Sequence, residues 1–190
     1  MTIGLLGGSF NPAHGGHMHI SRTALKRLAL DRVWWLVTPG NPLKSSDALA
    51  PLAERLAGAV TIACDPRIDI TGFEATRPDV FTANTLRFLT RRFPGTRFVW
   101  LMGADNLATF HSWQNWKKIA AMAPVAVLDR PGYRFAARAS RAAAVLASAY
   151  ADESDAAGLA FRRPPAWTLL TAPLSPVSSS KIRRARARAR

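Results

Sequence analysis

The sequence predicts an α/β fold, with a doubly wound, mainly parallel sheet and helices on both faces. Apolar runs typical of buried strands recur near residues 3, 33, 98 and 125, and segments with helical spacing separate them. A glycine-rich turn follows the first of these runs directly. Strands that alternate with helices form parallel sheets covered on both faces, so the expected architecture is Rossmann-like.

Six strands and several helices account for this pattern in chain order. The predicted strands span residues 3–6, 33–38, 67–70, 97–102, 124–128 and 167–170. Apolar positions at Ile20, Leu25 and Leu28 predict the first helix, and another helical pattern begins near residue 81. The segment 135–150, rich in Ala and Arg, predicts one surface helix.

The turn after the first strand is suited to an anion. Residues 7–17 read Gly-Gly-Ser-Phe-Asn-Pro-Ala-His-Gly-Gly-His and lead into a helix. Free amides and the helix dipole attract phosphate at a helix N-terminus, and glycines let the backbone approach it closely. His14 and His17 lie one helical turn apart, so both rings can face one phosphate. Neither the Gly-Lys-Ser/Thr of a Walker loop nor the G-x-G-x-x-G of a dinucleotide loop is present.

This turn resembles the H-x-G-H signature of the nucleotidyltransferase superfamily, and most of all that of the bacterial nicotinate mononucleotide adenylyltransferases. The resemblance implies that His14 and His17 are catalytic and hold the phosphates of ATP. It also implies ATP contacts from Gly8, Ser9 and Phe10. The sister family that adenylates phosphopantetheine normally has threonine at the position of His14, which argues against that substrate. Without the resemblance, the two histidines would be helix-capping or surface residues.

A second motif lies near the C-terminal end. Residues 177–183, Val-Ser-Ser-Ser-Lys-Ile-Arg, resemble the I-S-S-T-x-I-R signature with which the same superfamily closes over the triphosphate. Serine hydroxyls and free amides at a helix start can bind phosphate, and an arginine adds a planar cationic fork. The resemblance therefore implies ATP contacts from Ser179, Ser180 and Arg183. Taken alone, a serine cluster before a basic helix is usually a helix cap.

Segments between the two motifs supply the remaining expected contacts. The resemblance implies further ATP contacts from Lys44, Gly103 and Asp105. It implies nicotinate mononucleotide contacts from Thr82, Thr85, Trp113 and Arg130, with the tryptophan stacked on the pyridine ring. The residues by themselves also allow plainer roles. The two threonines and Asp105 can cap helices, and Lys44 can be an exposed side chain without a ligand.

The charge balance suggests a function of a different class. The chain has 26 Lys and Arg against 12 Asp and Glu, a formal net charge of +14 at pH 7. Small basic proteins often bind nucleic acid through its phosphates, so a nucleic-acid-binding protein is the competing hypothesis. No zinc-finger or RNA-binding aromatic signature accompanies the charge, which makes a nucleic-acid partner the weaker expectation.

The expected metal ion arrives with the nucleotide. A single cysteine, Cys64, excludes an internal disulfide and a cysteine cluster, and it is expected in the core. No H-E-x-x-H or similar pattern predicts a metal held by the protein. The expected cofactor is Mg²⁺ bound to ATP, because this ion takes phosphate oxygens as ligands and keeps most of its water.

Residues 1–190 are expected to form one nucleotidyltransferase domain, with a short basic helix or tail from about residue 179. Neither a long apolar run nor a leader is evident, so the expected location is cytoplasmic, without a membrane partner. A homo-oligomer is compatible with the sequence.

The resemblance implies a reaction that joins ATP and nicotinate mononucleotide into nicotinate adenine dinucleotide and pyrophosphate, a step of NAD biosynthesis. The expected mechanism is direct in-line attack without a covalent enzyme intermediate. Adenylyl transfer to phosphopantetheine or to nicotinamide mononucleotide, and cytidylyl transfer, are the alternatives within the superfamily. The choice between the acid and the amide of the pyridine ring is open at this point.

Overall fold

The computed structural model describes residues 1–40, 49–77, 80–173, 177 and 179–188, with side chains described as far as residue 185. Within these residues, six strands form one parallel sheet in the order β3-β2-β1-β4-β5-β6. The strands are β1 (Thr2–Gly8), β2 (Arg32–Val37), β3 (Ile68–Thr71), β4 (Arg97–Gly103), β5 (Val125–Leu128) and β6 (Trp167–Leu170). This order is that of a doubly wound fold with two halves, and each predicted strand is confirmed.

Helices connect the strands. They are α1 (Gly15–Arg27), α2 (Leu52–Ile62), α3 (Thr82–Arg92), α4 (Ala104–Thr109), α5 (Trp116–Met122), α6 (Arg134–Arg138), α7 (Arg141–Val145) and α8 (Ser179–Arg188). Short 3-10 segments lie at Phe73–Thr76, Phe110–Ser112, Ala147–Ala149 and Glu153–Phe161. In the described part of the chain, no helix is both long and apolar enough to cross a membrane.

Side chains of the sheet alternate between two cores, one on each face. Along β2, Val33, Trp35 and Val37 pack into one core, whereas Leu36 packs into the other. This alternation is the two-residue period of a strand. Helices α1 and α2 contribute to the first core, and α3, α4 and α5 contribute to the second. The prediction of helices on both faces is therefore confirmed.

The strand order reverses between β1 and β4, which are neighbours in the middle of the sheet. Their pairing runs from Thr2 opposite Arg97 to Leu6 opposite Leu101. The carboxyl ends of parallel strands lie at one edge, so Gly8 at the end of β1 and Gly103 at the end of β4 flank the same crevice. Doubly wound folds bind their ligands in a crevice at this position.

Two expectations about local structure are wrong. Segment 135–150 is not one surface helix, because α6 ends at Arg138 and the Ser140 hydroxyl accepts the Ala143 amide at 3.2 Å to begin α7. Both short helices pack against α4, where α6 buries Ala137 and α7 buries Ala142. Cys64 is exposed rather than in the core.

Candidate active site

Residues 7–17, the histidine loop, join the end of β1 to the start of α1. His14 and His17 lie where this loop enters the helix. His14 is the N-cap of α1, and its Nδ1 accepts the Gly16 amide at 3.1 Å. His17 Nδ1 accepts the His14 amide at 3.2 Å. This reciprocal capping box uses imidazoles in place of a hydroxyl and a carboxylate. The histidines are therefore helix caps, and the caps fix the orientation of both rings.

Both imidazoles are neutral at physiological pH. Burial, followed by the positive charge of Arg130, lowers the pKa of His14 from 6.5 to about 4. Burial lowers the pKa of His17 to about 3, and His14 and Arg130 act in the same direction. Nδ1 is an acceptor in each ring, so the proton of each neutral ring is assigned to Nε2. The rings, with centroids 4.0 Å apart, thus carry two N–H donors close together.

A buried aromatic stack supports the histidine loop. The Phe10 ring lies 5.0 Å from Trp35 and 4.6 Å from His17 between centroids. Phe10 has a φ of 46°, a conformation that non-glycine residues rarely adopt, and the surrounding stack holds it there. Phe10 is only 1% exposed, so in the structure its ring supports the loop, and the ATP contact expected from this residue stays a prediction.

The N-terminal end of α8 reaches back to the histidine loop. The Ser179 hydroxyl donates to the Pro12 carbonyl at 2.9 Å, across 167 positions of sequence. The Arg183 guanidinium donates to the Asn11 carbonyl at 2.6 Å and to the Ser180 hydroxyl at 3.3 Å. The two motifs from opposite ends of the chain therefore meet at one place.

Gly16 makes this close approach possible. A Cβ atom at Gly16 would lie 2.8 Å from the His14 ring and 3.3 Å from the Val177 carbonyl oxygen. A side chain here would displace either the histidine or the segment that leads to α8. The glycine of the H-x-G-H pattern is thus needed for packing.

Asp105 and Arg130 lie at the other side of the switch point, after β4 and β5. Arg130 Nη1 is 2.7 Å from Asp105 Oδ2, and both side chains are about a quarter exposed. The N-cap of α4 is Gly103, so Asp105 does not have the alternative role of a cap, and it forms an ion pair from the first turn of α4. A Cβ at Gly103 would overlap the Asp105 carboxylate, which explains the glycine.

The two threonines of α3 differ from expectation. The N-cap of α3 is Phe81, without a side-chain capping bond, so neither Thr82 nor Thr85 is a cap. Thr85 is fully buried, and its hydroxyl donates to Glu74, a residue with no role predicted from the sequence. Burial raises the pKa of the Glu74 carboxyl, whose second oxygen has no hydrogen-bond partner among the described residues. The Thr85 hydroxyl is therefore engaged within the protein.

Trp113 and Lys44 complete the set of expected contacts. Trp113 is half-buried, and its ring meets the Phe110 ring edge to face at 5.4 Å between centroids. Lys44 lies in 41–48, outside the described residues. Sequence reasoning missed Arg55, which is 3% exposed and donates to the carbonyl of Ser9 in the histidine loop at 2.8 Å. The sequence feature that could have revealed Arg55 is its position one helical turn before Ala59, which places a charged residue on the buried face of α2.

The crevice suits phosphate oxygens. The Nε2–H groups of the two imidazoles and the Arg183 guanidinium are donors, and charge-assisted bonds to phosphate are among the strongest in proteins. Within the described ranges, no group of three or more His, Cys, Asp or Glu side chains is placed to hold a metal ion.

Comparisons with known proteins identify the family of this chain. The model of the cytidylyltransferase-like family matches residues 5–185. A "Probable nicotinate-nucleotide adenylyltransferase" of Methylorubrum extorquens (strain PA1) is 59% identical, over 96% of this chain and 99% of the relative. A protein of the same name from Rhizobium meliloti (strain 1021) is 53% identical, over 98% of this chain and 99% of the relative.

A solved structure has the same fold. The "Plasmodium falciparum nicotinic acid mononucleotide adenylyltransferase complexed with NaAD" superposes with a TM-score of 0.71 at 18% identity, over 96% of this chain and 82% of the other. The resemblance expected from the two motifs is thus confirmed over almost the whole chain. This chain belongs to the nicotinate-nucleotide adenylyltransferase family of cytidylyltransferase-like proteins.

Proposed function

We propose that this protein transfers the adenylyl group of ATP to nicotinate mononucleotide, giving nicotinate adenine dinucleotide and pyrophosphate in NAD biosynthesis. One observation carries the proposal. The start of α8 bonds to the Asn11 and Pro12 carbonyls inside the histidine loop, so both sequence motifs converge at the switch point of the sheet. The name shared by relatives at 53% and 59% identity supports the same reaction.

The chemistry needs no nucleophile from the enzyme. A phosphate oxygen of the mononucleotide attacks the α-phosphorus of ATP in line, the bond to the bridging oxygen breaks, and pyrophosphate leaves with the electron pair. Negative charge grows on the departing oxygens, and donors fixed in advance stabilise it. We assign this role to the Nε2–H groups of His14 and His17, the loop amides, Lys44 and Arg183.

The neutral state of the histidines fits this role. Neutral rings can stand 4.0 Å apart without charge repulsion. A bound triphosphate places negative charge beside them, which raises the pKa of each ring and strengthens its N–H donor. Mg²⁺ enters with ATP as part of the substrate, and we assign its ligands to phosphate oxygens and water.

The remaining assignments divide the crevice between the two nucleotides. We assign the ATP side to Gly8, Ser9, Phe10, Ser179, Ser180, Gly103 and Asp105, with the two serines at the phosphates and Gly103 and Asp105 at the ribose. The Asp105 side chain is about a quarter exposed, which supports its role as an acceptor for ribose hydroxyls. We assign the mononucleotide side to Thr82, Thr85, Trp113 and Arg130. Contact with Thr85 requires that its bond to Glu74 rearrange, because the threonine is fully buried.

We expect the reaction to take place in the cytoplasm. A homo-oligomer and a single domain over residues 1–190 also stay predictions. Sedimentation velocity and limited proteolysis of the full chain test them.

Pyrophosphate release tests the proposed function. The full chain is incubated with MgATP and, in turn, nicotinate mononucleotide, nicotinamide mononucleotide or phosphopantetheine, and the product is identified by mass spectrometry. We expect nicotinate adenine dinucleotide in an amount equal to the pyrophosphate released. Failure of every acceptor, together with salt-dependent retention of duplex DNA or RNA, would overturn the proposal in favour of a nucleic-acid-binding protein.

A further inference from the structure

Arg55 on α2 is a buried cation held by carbonyl oxygens. It is 3% exposed, and in the described part of the chain it forms no ion pair with a carboxylate. Its Nε donates to Ala50 at 2.8 Å, its Nη1 to Ser9 at 2.8 Å and Thr38 at 2.6 Å, and its Nη2 to Pro39 at 3.0 Å. One guanidinium thus joins three segments of chain.

The burial of Arg55 is not an efficient way to stabilise the fold. Burial of a cation without a counter-ion is unfavourable, and burial lowers the pKa of Arg55. A well-packed apolar side chain of similar volume would avoid the cost of burying the charge. The planar fork of arginine is, however, suited to holding several acceptors in a fixed geometry at once.

The three segments all border the crevice. Ser9 stands in the histidine loop, directly before the strained Phe10. Thr38 and Pro39 follow β2, and the Thr38 amide also donates to the Gly8 carbonyl at 3.0 Å. Ala50 precedes α2, so that Pro39 and Ala50 stand in the sequence on either side of the segment that carries Lys44.

We propose that Arg55 is a positioning residue, whose guanidinium holds the histidine loop against the chain that follows β2 at the spacing that ATP binding requires. The inference rests on the proposed function for its ligand. Arg55 is too deeply buried to reach the nucleotide, and it acts through the backbone of Ser9, Thr38 and Pro39. The effect of the positive charge at position 55 can be separated from the effect of its hydrogen-bond geometry, because lysine keeps the charge but lacks the planar fork of arginine.

The test compares Arg55→Lys and Arg55→Met with the wild-type full chain. The Kd for MgATP is measured by calorimetry, and KM is measured for each substrate. A displaced loop costs a large factor in a site of this kind, so we expect ATP binding to weaken about tenfold in Arg55→Lys and about a hundredfold in Arg55→Met. The KM for the mononucleotide is expected to change by less than about threefold, because its assigned contacts lie on α3, the segment after α4 and the end of β5.

Leu159→Ala serves as the control for a loss of stability. Leu159 is fully buried in the Glu153–Phe161 segment, which packs against β4 and β6, whereas the contacts of Arg55 follow β1 and β2 and precede α2. Its truncation is expected to lower Tm while the Kd for ATP stays within about twofold of the wild-type value. The proposal is overturned if both Arg55 variants bind ATP like the wild type, or if Leu159→Ala weakens ATP binding as much as they do.

Hydrogen exchange of the wild-type protein decides the question if neither Arg55 variant folds. ATP is expected to slow exchange in 9–12, 38–40 and 50–55 together, and protection confined to 9–12 would contradict the proposal. A wild-type protein that binds ATP but forms no dinucleotide would refute the proposed function. The ATP affinities of the wild type and the Arg55 variants would still test the role of Arg55 in that case.

Discussion

A fall in pH from 7.5 to 5 is expected to destabilise the folded protein through His14 and His17. Folding lowers the two pKa values from 6.5 to about 4 and about 3, so the unfolded chain binds more protons than the folded chain in this range. Stability is therefore complete above pH 6.5 and is lost as the pH falls toward the folded pKa values. At pH 5 each ring accounts for a loss of about 2 kcal/mol, or about 4 kcal/mol together.

Urea denaturation followed by circular dichroism measures this loss. With an m-value of about 2 kcal/mol per M, the midpoint of the wild-type protein is expected to fall by about 2 M through the two rings. The control is the double variant His14→Asn/His17→Asn, because the amide oxygen of asparagine can accept the same backbone N–H but does not titrate. The raised pKa of Glu74 acts in the opposite direction and is common to both proteins.

The difference between the two proteins isolates the histidines. We expect the wild type to lose about 4 kcal/mol more than the double variant between pH 7.5 and pH 5. Parallel loss in both proteins, to within about 1 kcal/mol, would refute the conclusion that the folded site holds both rings neutral.

Three further substitutions test individual contacts. Arg183→Lys removes the fork that bonds the Asn11 carbonyl, so the KM for ATP is expected to rise about tenfold, and an unchanged KM would contradict this role. Asp105→Asn is expected to raise the KM for ATP about tenfold and the KM for the mononucleotide by a smaller factor, because the ion pair with Arg130 is lost as well; a larger effect on the mononucleotide would reverse the assignment. Ser140→Ala removes the cap of α7 and is expected to lower the free energy of unfolding by about 1 kcal/mol in urea titration without a change in kcat, whereas no destabilisation would mean that the cap is dispensable.

Apolar runs predicted the sheet because a strand buried on both faces leaves a local signal. Val33, Trp35 and Leu36 all read as strand residues, although they pack into different cores. The prediction of one helix over 135–150 was wrong because Ala and Arg favour helix throughout this segment. The capping serine, Ser140, is the only sequence signal that marks the boundary between the two helices.

The site was predictable where a motif is local and less so where it depends on the fold. His14 and His17 stand three residues apart, and that spacing predicted that their rings lie together, as the capping box and the 4.0 Å between ring centroids confirm. The bond of Thr85 to Glu74 depends on how a 3-10 segment packs against α3, which no periodicity reveals. The carbonyls around Arg55 come from three loops, and backbone acceptors leave no mark on a sequence.

Whether the histidine loop carries out the chemistry is decided by the turnover of His17→Ala in dinucleotide formation. The fold is checked by circular dichroism at pH 7.5, and saturating MgATP and nicotinate mononucleotide separate turnover from binding. Loss of one fixed donor to the departing pyrophosphate is expected to lower kcat by about a hundredfold to a thousandfold. A folded His17→Ala protein with near-normal kcat would contradict the assignment of His17 to the reacting phosphates.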